Sequence, residues 1–250
     1  MSQTDSSPGR PDYGLDAPEV VRRLAVIGTV ACVLGMAGFF FFRASHRALA
    51  IALLSAGMFP GISLLTTVSV MVWGSKVGKL RLRDRLLDGL ALRGDETVLD
   101  VGCGHGLLLI GAAKRLPRGR AVGIDLWQTE DQAGNSPDAT RANARAEQVI
   151  DRIELKTGDA RRLPFEEATF DAVVSSWALH NIYDREGRRQ ALLEIVRVLK
   201  PGGRAAILDI RHTAEYAEVF RQNGLGEIKR SRPNFTFFIP TLAVHARKPT

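Results

Sequence analysis

The sequence predicts an α/β domain with a mostly parallel sheet, preceded by two helices that cross a membrane. Three observations lead to this fold class: two long uncharged apolar runs near the N-terminus, alternating strand-like and helix-like segments after residue 83, and a glycine-rich stretch after the first of those strands. With 250 residues, of which 45% are hydrophobic, the chain is long enough for one sizeable domain and this additional part.

The two apolar runs cover residues 24–42 and 48–73 and contain no charged side chain. Each is long enough to cross a bilayer core as a helix, which takes about 20 residues. The short connection between the runs, 43–47, predicts a tight hairpin. A secretory signal is the alternative for the first run, but that run begins late and follows an acidic leader. Pro60 interrupts the second run, so a bent or re-entrant segment stays open.

Basic residues are more frequent at the two outer ends of this hairpin than in its connection. The positive-inside rule therefore predicts a multi-pass protein of the cell membrane, with both termini and the C-terminal domain in the cytoplasm. The densest basic stretch, 76–85, directly follows the second run, so lipid headgroups are the expected partner and nucleic acid is not, despite a net charge of +7. Cys32 and Cys103 are poorly placed for a disulfide and fit a reducing compartment.

Composition divides the chain into four parts. Residues 1–20, rich in Ser, Pro and Asp, predict a disordered tail. Residues 21–75 form the hairpin, 76–92 a basic juxtamembrane linker with a short helix, and 93–250 the α/β domain. A homo-oligomer formed through the hairpin is left open.

The order of apolar runs in the domain predicts five strands that each return through a helix. Such strands pair in parallel with right-handed crossovers. The last two strands, at 226–232 and 236–248, are separated by Pro233 and Asn234, which predict a turn and therefore an antiparallel hairpin.

The stretch LDVGCGHG, 99–106, follows the first strand and contains three glycines spaced two apart. A glycine-rich turn between a strand and its helix lets a nucleotide-like ligand approach the backbone. The dinucleotide pattern G-x-G-x-x-G is not met, because Leu107 stands where its third glycine belongs, so a dinucleotide oxidoreductase is only an outside alternative. Histidine and cysteine spacings predict no metal site.

Five motifs resemble, in the same order, those of class I S-adenosylmethionine (SAM)-dependent methyltransferases: VLDVGCGHG, GIDL, GDARRLPF, FDAVVSSWALHNI and LKPGGRAAI. The resemblance covers about 86–250 and is greatest for the subgroup with quinone-biosynthesis and related small-molecule enzymes. It implies the Rossmann-like sheet of that family, and SAM as the cofactor. The implied cofactor-binding residues are Asp100, Gly102, Cys103, Gly104, Gly106, Asp125, Leu126, Asp159, Ala160 and Ser175.

Three acids among these residues have separate roles in the family pattern. Asp100 is expected to orient the turn around the methionine part of SAM and to face its ammonium group. Asp125 is expected to accept hydrogen bonds from the ribose hydroxyls, and Asp159 from the adenine amino group. Each acid alone could be an ordinary turn, cap or loop residue. Their order in the chain favours one shared ligand.

Polar and aromatic residues after strand four predict the pocket for the methyl acceptor, and these are Trp177, His180, Asn181 and Tyr183. His180 is the candidate catalytic base, because the ordinary histidine pKa lies near working pH. The alternative is a structural histidine that bonds to the backbone.

These features together predict a membrane-anchored methyltransferase that acts on a small, lipophilic acceptor such as a quinone precursor, an isoprenoid or a phospholipid headgroup. A hairpin that only tethers an enzyme for a soluble metabolite is one alternative. A membrane-bound protein methyltransferase and a non-catalytic SAM-binding module are the others.

Overall fold

The structure, a computed structural model, describes residues 9–128 and 134–250. Two compact units make up the chain. The first comprises residues 15–78. The second comprises residues 79–250 together with the described residues before Leu15.

The first unit is a pair of long helices, α1 (Pro18–Phe42) and α2 (Arg47–Trp73). Both are long and apolar enough to cross a membrane. Glycines allow the two backbones to approach closely: a Cβ at Gly57 would lie 2.6 Å from the Cα of Gly35. Pro60 lies inside α2, which continues helical to Trp73, so the second apolar run is one helix.

A π-helical turn, Gly74–Gly78, follows α2 and leads to α3 (Lys79–Asp88). The short helix expected within a basic linker is therefore earlier and longer than predicted. Lys79 and Arg83 are buried in the second unit, and leucines of α3 belong to its core. The linker prediction is wrong for these residues, because the apolar face of α3 needs the domain to cover it.

Residues 9–14, which precede the first unit in the chain, are also part of the second unit. Tyr13 is buried, and one backbone N–H of the segment 9–14 donates to the Asn143 side chain (2.8 Å). The Lys79 ammonium donates to the Tyr13 carbonyl (2.8 Å). The expected disordered tail is therefore wrong for this segment, while residues 1–8 lie outside the described part of the chain.

The second unit contains a seven-stranded sheet with the order β3-β2-β1-β4-β5-β7-β6. Strands β1 to β5 are parallel, and β7 pairs antiparallel with both β5 and β6. The predicted sheet with its antiparallel C-terminal hairpin is confirmed, but the chain reverses between Asn234 and Thr241 rather than at Pro233 and Asn234, and the last strand begins only at Leu242. The strands are β1 (Thr97–Val101), β2 (Arg120–Asp125), β3 (Ile153–Thr157), β4 (Phe170–Ser176), β5 (Leu199–Asp209), β6 (Gly226–Arg230) and β7 (Leu242–Arg247).

Helices cover both faces of the sheet, and these are α4 (Leu107–Lys114), α5 (Pro137–Ala146), α6 (Arg185–Val198) and α7 (Thr213–Gln222). Side chains alternate along β1, so Leu99 and Val101 join one core cluster and Val98 joins the other. Residues of α6 and α7 complete the first cluster, and residues of α3 and α4 complete the second. This layering leaves the carboxyl ends of the parallel strands together at one edge.

Candidate active site

The glycine-rich stretch forms a tight turn between β1 and α4 at that edge. Gly102, Gly104 and Gly106 all have positive φ angles (72°, 47° and 86°), which side chains disfavour. The Gly102 N–H donates to the Ile124 carbonyl (2.8 Å) and ties the turn to β2. A Cβ at Gly102 would overlap the Cβ of Ala178. Glycine is therefore required here for both backbone conformation and space.

Asp125, the last residue of β2, is bonded to this turn. One carboxylate oxygen accepts from the Gly104 N–H (2.8 Å). The other accepts from the Trp127 N–H (2.7 Å) and from the Asn135 side chain (3.1 Å). The first of these bonds holds the Asp125 carboxylate beside the glycine turn, although Asp125 and Gly104 are 21 residues apart in the sequence.

Asp100 is buried one residue before the end of β1. Its Oδ2 accepts from the Leu109 N–H (2.8 Å) in α4, whereas its buried Oδ1 has no hydrogen-bond partner in the described part of the chain. Burial, with a smaller contribution from the negative charge of Asp125, raises the pKa of Asp100 to about 8. A buried carboxyl oxygen without a donor fits a ligand that supplies one, such as an ammonium group.

Asp159 and Ser175 are engaged with other protein groups. The carboxylate of Asp159 accepts from the backbone N–H (2.8 Å) and the guanidinium (2.6 Å) of Arg161, which lowers the pKa of Asp159. The buried Ser175 hydroxyl donates to the Val101 carbonyl (2.8 Å) between β4 and β1. The structure therefore gives Ser175 a bond within the sheet.

The remaining predicted cofactor residues differ in exposure. Cys103 is buried, and its burial raises the pKa of the thiol well above its ordinary value. Ala160 packs against the first core cluster, and Leu126, directly after β2, is exposed.

Trp177, predicted for the acceptor pocket, lies at this edge directly after β4. Its ring packs against Phe237 with a centroid separation of 5.0 Å. The indole N–H is buried and has no hydrogen-bond partner among the described residues. This tryptophan therefore combines an apolar surface with a polar atom that is free to bind.

Asn181 lies close to this tryptophan in the chain, in the short 3-10 turn Leu179–Asn181, and its N–H donates to the Ala178 carbonyl (3.1 Å). The side chain of Tyr183 is 93% exposed, so it does not join the group.

His180, in the same turn, contacts a second acid. Its Nδ1 lies 2.6 Å from Oδ1 of Asp209, and its backbone N–H donates to Oδ2 of that residue (3.2 Å). Asp209 is fully buried at the end of β5 and also accepts from the Tyr216 hydroxyl (3.1 Å). His180 is therefore attached to the sheet rather than exposed in a free loop.

Several residues of the site were missed by the sequence analysis. Asn135 donates to Asp125, and the Thr140 hydroxyl donates to the Gly104 carbonyl (2.6 Å). Neither contact has a local signal in the sequence, since both join segments that only folding brings together. Asp209 could have been found from its place at the carboxyl end of a strand.

No group of three or more His, Cys, Asp or Glu side chains is arranged to hold a metal ion within residues 9–128 and 134–250.

Comparison with known proteins places this domain in a family. Residues 98–203 match the family model described as "Methyltransferase domain". A demethylmenaquinone methyltransferase of Symbiobacterium thermophilum is 38% identical over 118 residues, covering 47% of this chain and 43% of that protein. The ubiquinone/menaquinone biosynthesis C-methyltransferase UbiE of a Ruegeria species is 34% identical over 157 residues, covering 62% and 59%. The chain thus spans about half the length of these relatives.

A solved SAM-dependent methyltransferase from Aquifex aeolicus shares the fold, with a TM-score of 0.53 and 20% identity over 69% of this chain and 93% of that one. Residues 98–203 are therefore a class I SAM-dependent methyltransferase domain that is similar to quinone-biosynthesis enzymes, and SAM is the cofactor of this type of domain.

Proposed function

We propose that this protein is a membrane-anchored methyltransferase that transfers a methyl group from SAM to a quinone-type, lipophilic acceptor. The observation that carries the proposal is the arrangement of Asp100, the glycine turn and Asp125 at the carboxyl edge of β1 and β2. In this arrangement a ligand can approach the backbone of the glycine turn closely, and two carboxyl groups lie at different distances from that turn. Parallel sheets bind nucleotide-like ligands at this edge.

Each acid has a proposed contact with SAM. The open oxygen of Asp100 faces the ammonium group, whose positive charge favours the ionised carboxylate. Asp125 accepts from the ribose hydroxyls, since a carboxylate has about four lone-pair sites and its bonds to the protein leave capacity. Asp159, oriented by Arg161, accepts from the adenine amino group beside the Ala160 backbone.

SAM supplies an activated methyl group on a sulfonium. The protein must then hold the acceptor in line with that methyl group and exclude water, and such alignment can supply much of the rate acceleration. His180 is the proposed base for an acceptor that must lose a proton.

The acceptor class rests on two observations. Aromatic side chains surround the acceptor side, where Trp177 packs on Phe237, and Phe237 lies 4.8 Å from Phe238 between ring centroids. Such rings favour a flat, apolar acceptor. The relatives named above act, by their names, on demethylmenaquinone and in ubiquinone or menaquinone biosynthesis. We extend that substrate class to this chain.

The membrane anchor rests on the surface of the first unit. Large apolar side chains of α1 and α2 are exposed, among them Leu34 (65%), Phe41 (77%) and Phe59 (82%). Soluble proteins rarely expose contiguous apolar surface of this kind. We infer that both helices cross the cell membrane, with the termini and the catalytic domain in the cytoplasm. In this proposal the hairpin holds the enzyme close to a lipid-soluble acceptor. The alternative is a hairpin that only tethers an enzyme whose substrate is a soluble metabolite.

The test is to incubate membranes that contain the protein with methyl-labelled SAM and to partition the label between organic, aqueous and protein fractions. Asp125→Ala should abolish the labelling, and Asp151→Ala, at an exposed acid outside the site, should retain it. Label in the organic phase supports the lipophilic acceptor. Label in the aqueous phase supports the tether, and label in protein supports a protein methyltransferase. No label above that of Asp125→Ala contradicts a methyltransferase activity.

A further inference from the structure

We propose that the carboxyl edge of the sheet docks against a bilayer surface that contains anionic lipids, with the ring of Phe235 inserted among the headgroups. The docking surface consists of Tyr183, Arg211, Arg232 and Phe235. The inference rests on the proposed function for its lipid-soluble acceptor. It goes beyond that function because it gives the catalytic domain a membrane contact of its own, outside α1 and α2.

The exposed large apolar side chains of the second unit share one edge. Among the described residues of that unit they are Leu126 (47%), Tyr183 (93%) and Phe235 (73%). Leu126 directly follows β2, and Tyr183 lies between β4 and α6, so both lie beyond the carboxyl ends of parallel strands. Single exposed apolar residues are ordinary on soluble proteins, but their restriction to one edge marks an interaction surface. Leu126 belongs to the predicted SAM contacts, which leaves Tyr183 and Phe235 for another partner.

Phe235 lies at this edge because β7 runs antiparallel to β5. Leu242, the first residue of β7, is paired with Asp209, the last residue of β5. The loop 231–241 precedes Leu242 and therefore extends beyond the carboxyl end of β5. The same edge carries the glycine turn and the predicted acceptor pocket.

The loop holds Phe235 outward on a fixed base. Asn234 and Thr241 are joined by two backbone hydrogen bonds (2.8 and 3.0 Å). Phe237 is buried and packs on Trp177, with 5.0 Å between ring centroids. The inward ring thus contacts the predicted acceptor pocket, whereas Phe235, two residues earlier, faces solvent. Its ring can contact lipid without a rearrangement of the loop.

Cations accompany the exposed ring. The sequence from 228 to 250 contains five Lys or Arg residues and no Asp or Glu. Arg232 is exposed in the loop, and Arg211 is exposed two residues after β5. Cations near an anionic membrane surface strengthen binding, and aromatic rings favour the headgroup region. A second copy of this chain is a poorer partner for these cations, because its net charge is +7.

Two exposed acids follow Tyr183, and both have partners in α6. Asp184 accepts from the Gly187 N–H (2.5 Å), and Glu186 lies 2.9–3.1 Å class distance from no lipid-facing cation but pairs with Arg189 at 3.1 Å. Their charge is therefore partly compensated, and Tyr183 contributes to docking through its ring.

Docking at this edge gives the acceptor a route that avoids water. Transfer of an apolar molecule from lipid into water is unfavourable in proportion to its apolar area. When the edge is docked, a lipid-soluble acceptor passes from the bilayer to the pocket beside Trp177 directly. A water-soluble acceptor gains nothing from the contact, and this difference can be measured.

The first test measures lipid contact without turnover. Phe235→Cys, in the full-length protein with Cys32→Ala, carries an environment-sensitive fluorophore and is placed in vesicles of phosphatidylcholine and phosphatidylglycerol. Cys103 should not react, because it is buried and the pKa of its thiol is raised. Lipids with a nitroxide near the headgroup quench a group that lies about 5–10 Å into the interface. Quenching at position 235 should be at least about threefold stronger than at a control position.

The control position is Asp151→Cys in the same background, because residue 151 is exposed before β3 at the opposite edge of the sheet. In phosphatidylcholine alone, quenching at position 235 should fall, because the cations lose their anionic partners. Equal quenching at both positions would overturn the proposal. A fluorophore at position 235 that is shielded from water but not quenched by lipid would also overturn it, since protein, such as a second copy of the chain, then covers the surface.

The second test compares two acceptors. Phe235→Ser should lower kcat/KM for a prenylated naphthohydroquinone in the vesicles by about tenfold, the order expected when one membrane-inserted phenyl ring is lost. For a water-soluble naphthohydroquinone without the prenyl chain, kcat/KM should stay within about twofold. Arg232→Gln should act in the same direction only when phosphatidylglycerol is present. Its matched control is Arg118→Gln, an exposed cation before β2 at the opposite edge.

The outcomes separate docking from the proposed function. If the prenylated probe is methylated and position 235 is not quenched, the proposed function stands and docking is wrong. If Phe235→Ser lowers kcat/KM equally for both acceptors, docking has no role in acceptor entry. If position 235 contacts lipid but neither acceptor is methylated and no label is transferred in the membrane assay, the proposed function fails and the membrane contact stands.

Discussion

Replacing Gly102 with alanine tests whether the turn between β1 and α4 is as constrained as its geometry indicates. The residue has φ +72°, and an added Cβ would overlap the Cβ of Ala178. A side chain in the left-handed region costs about 1–2 kcal/mol. Overpacking a filled site adds about 1–3 kcal/mol. We therefore expect Gly102→Ala to lower the free energy of unfolding by about 2–5 kcal/mol.

Gly224→Ala is the matched control, because Gly224 has a similar φ of +81° but open space around its Cβ position. This variant should lose only the conformational part, about 1–2 kcal/mol. Chemical unfolding of the full-length protein in detergent, followed by near-ultraviolet circular dichroism, measures both variants.

SAM affinity should separate the two variants more clearly. Relief of the overlap moves the turn away from Asp125, so Gly102→Ala should bind SAM at least about tenfold more weakly, which corresponds to about 1.4 kcal/mol. Gly224→Ala should bind as the wild type does. Equal losses of stability and unchanged affinity in both variants would refute the argument from steric overlap.

Three further changes have defined outcomes. Burial raises the pKa of Asp100 in the folded, SAM-free protein to about 8, above the ordinary value of 3.8 that applies to the unfolded chain. The neutral carboxyl therefore contributes its full stability below about pH 4, and this contribution is lost as the pH rises to 8. Asp100→Asn should therefore flatten the fall in melting temperature over that range, and an unchanged slope would contradict the assignment. Gly57→Ala should destabilise the helix pair more than Gly38→Ala in detergent unfolding, because the first Cβ meets backbone (2.6 Å) and the second a flexible leucine side chain (2.9 Å). Comparable losses would argue against close backbone packing. Asn143→Ala should cost about 1–3 kcal/mol in the same measurement and weaken SAM binding, since it removes the side-chain hydrogen bonds to the His105 carbonyl and to the backbone of Asp12. Wild-type stability and affinity would show that these bonds do not support the turn.

The positions of the strands and of the glycine turn followed from local patterns. Apolar runs with β-branched residues and intervening helical segments predicted the parallel strands. Pro233 and Asn234 indicated that the last two strands are antiparallel, but the reversal itself lies after them, between Asn234 and Thr241. Helices α1 and α2 contain the two uncharged runs and end at the same residues, although α1 begins six residues before its run. The agreement is expected, because an apolar stretch of this length is too long for a strand and is typical of a helix.

The errors concern segments whose state depends on distant partners. Residues 76–92 contain many cations, yet Lys79 is buried, because its ammonium donates to the carbonyls of Tyr13 and Gly14 (both 2.8 Å). The composition of the N-terminal segment indicates disorder, whereas bonds from Asn143 of α5 and Lys79 of α3 hold it in place. The partners of these bonds are 131 and 66 residues apart, so a local sequence pattern cannot indicate them.

The sequence by itself led, through the resemblance of its five motifs, to the methyltransferase domain and its cofactor class. It also placed Asp100, the glycine turn and Asp125 at the ends of two predicted strands, because strands and the turns after them follow from local patterns. Only the tertiary structure decided what each side chain faces. It joined Asp125 to Gly104, gave Ser175 a bond within the sheet, and brought Asp209 to His180 across the ends of β5 and β4. The physical reason is that hydrogen bonds and ion pairs act over a few ångströms in space, regardless of the number of residues between the partners.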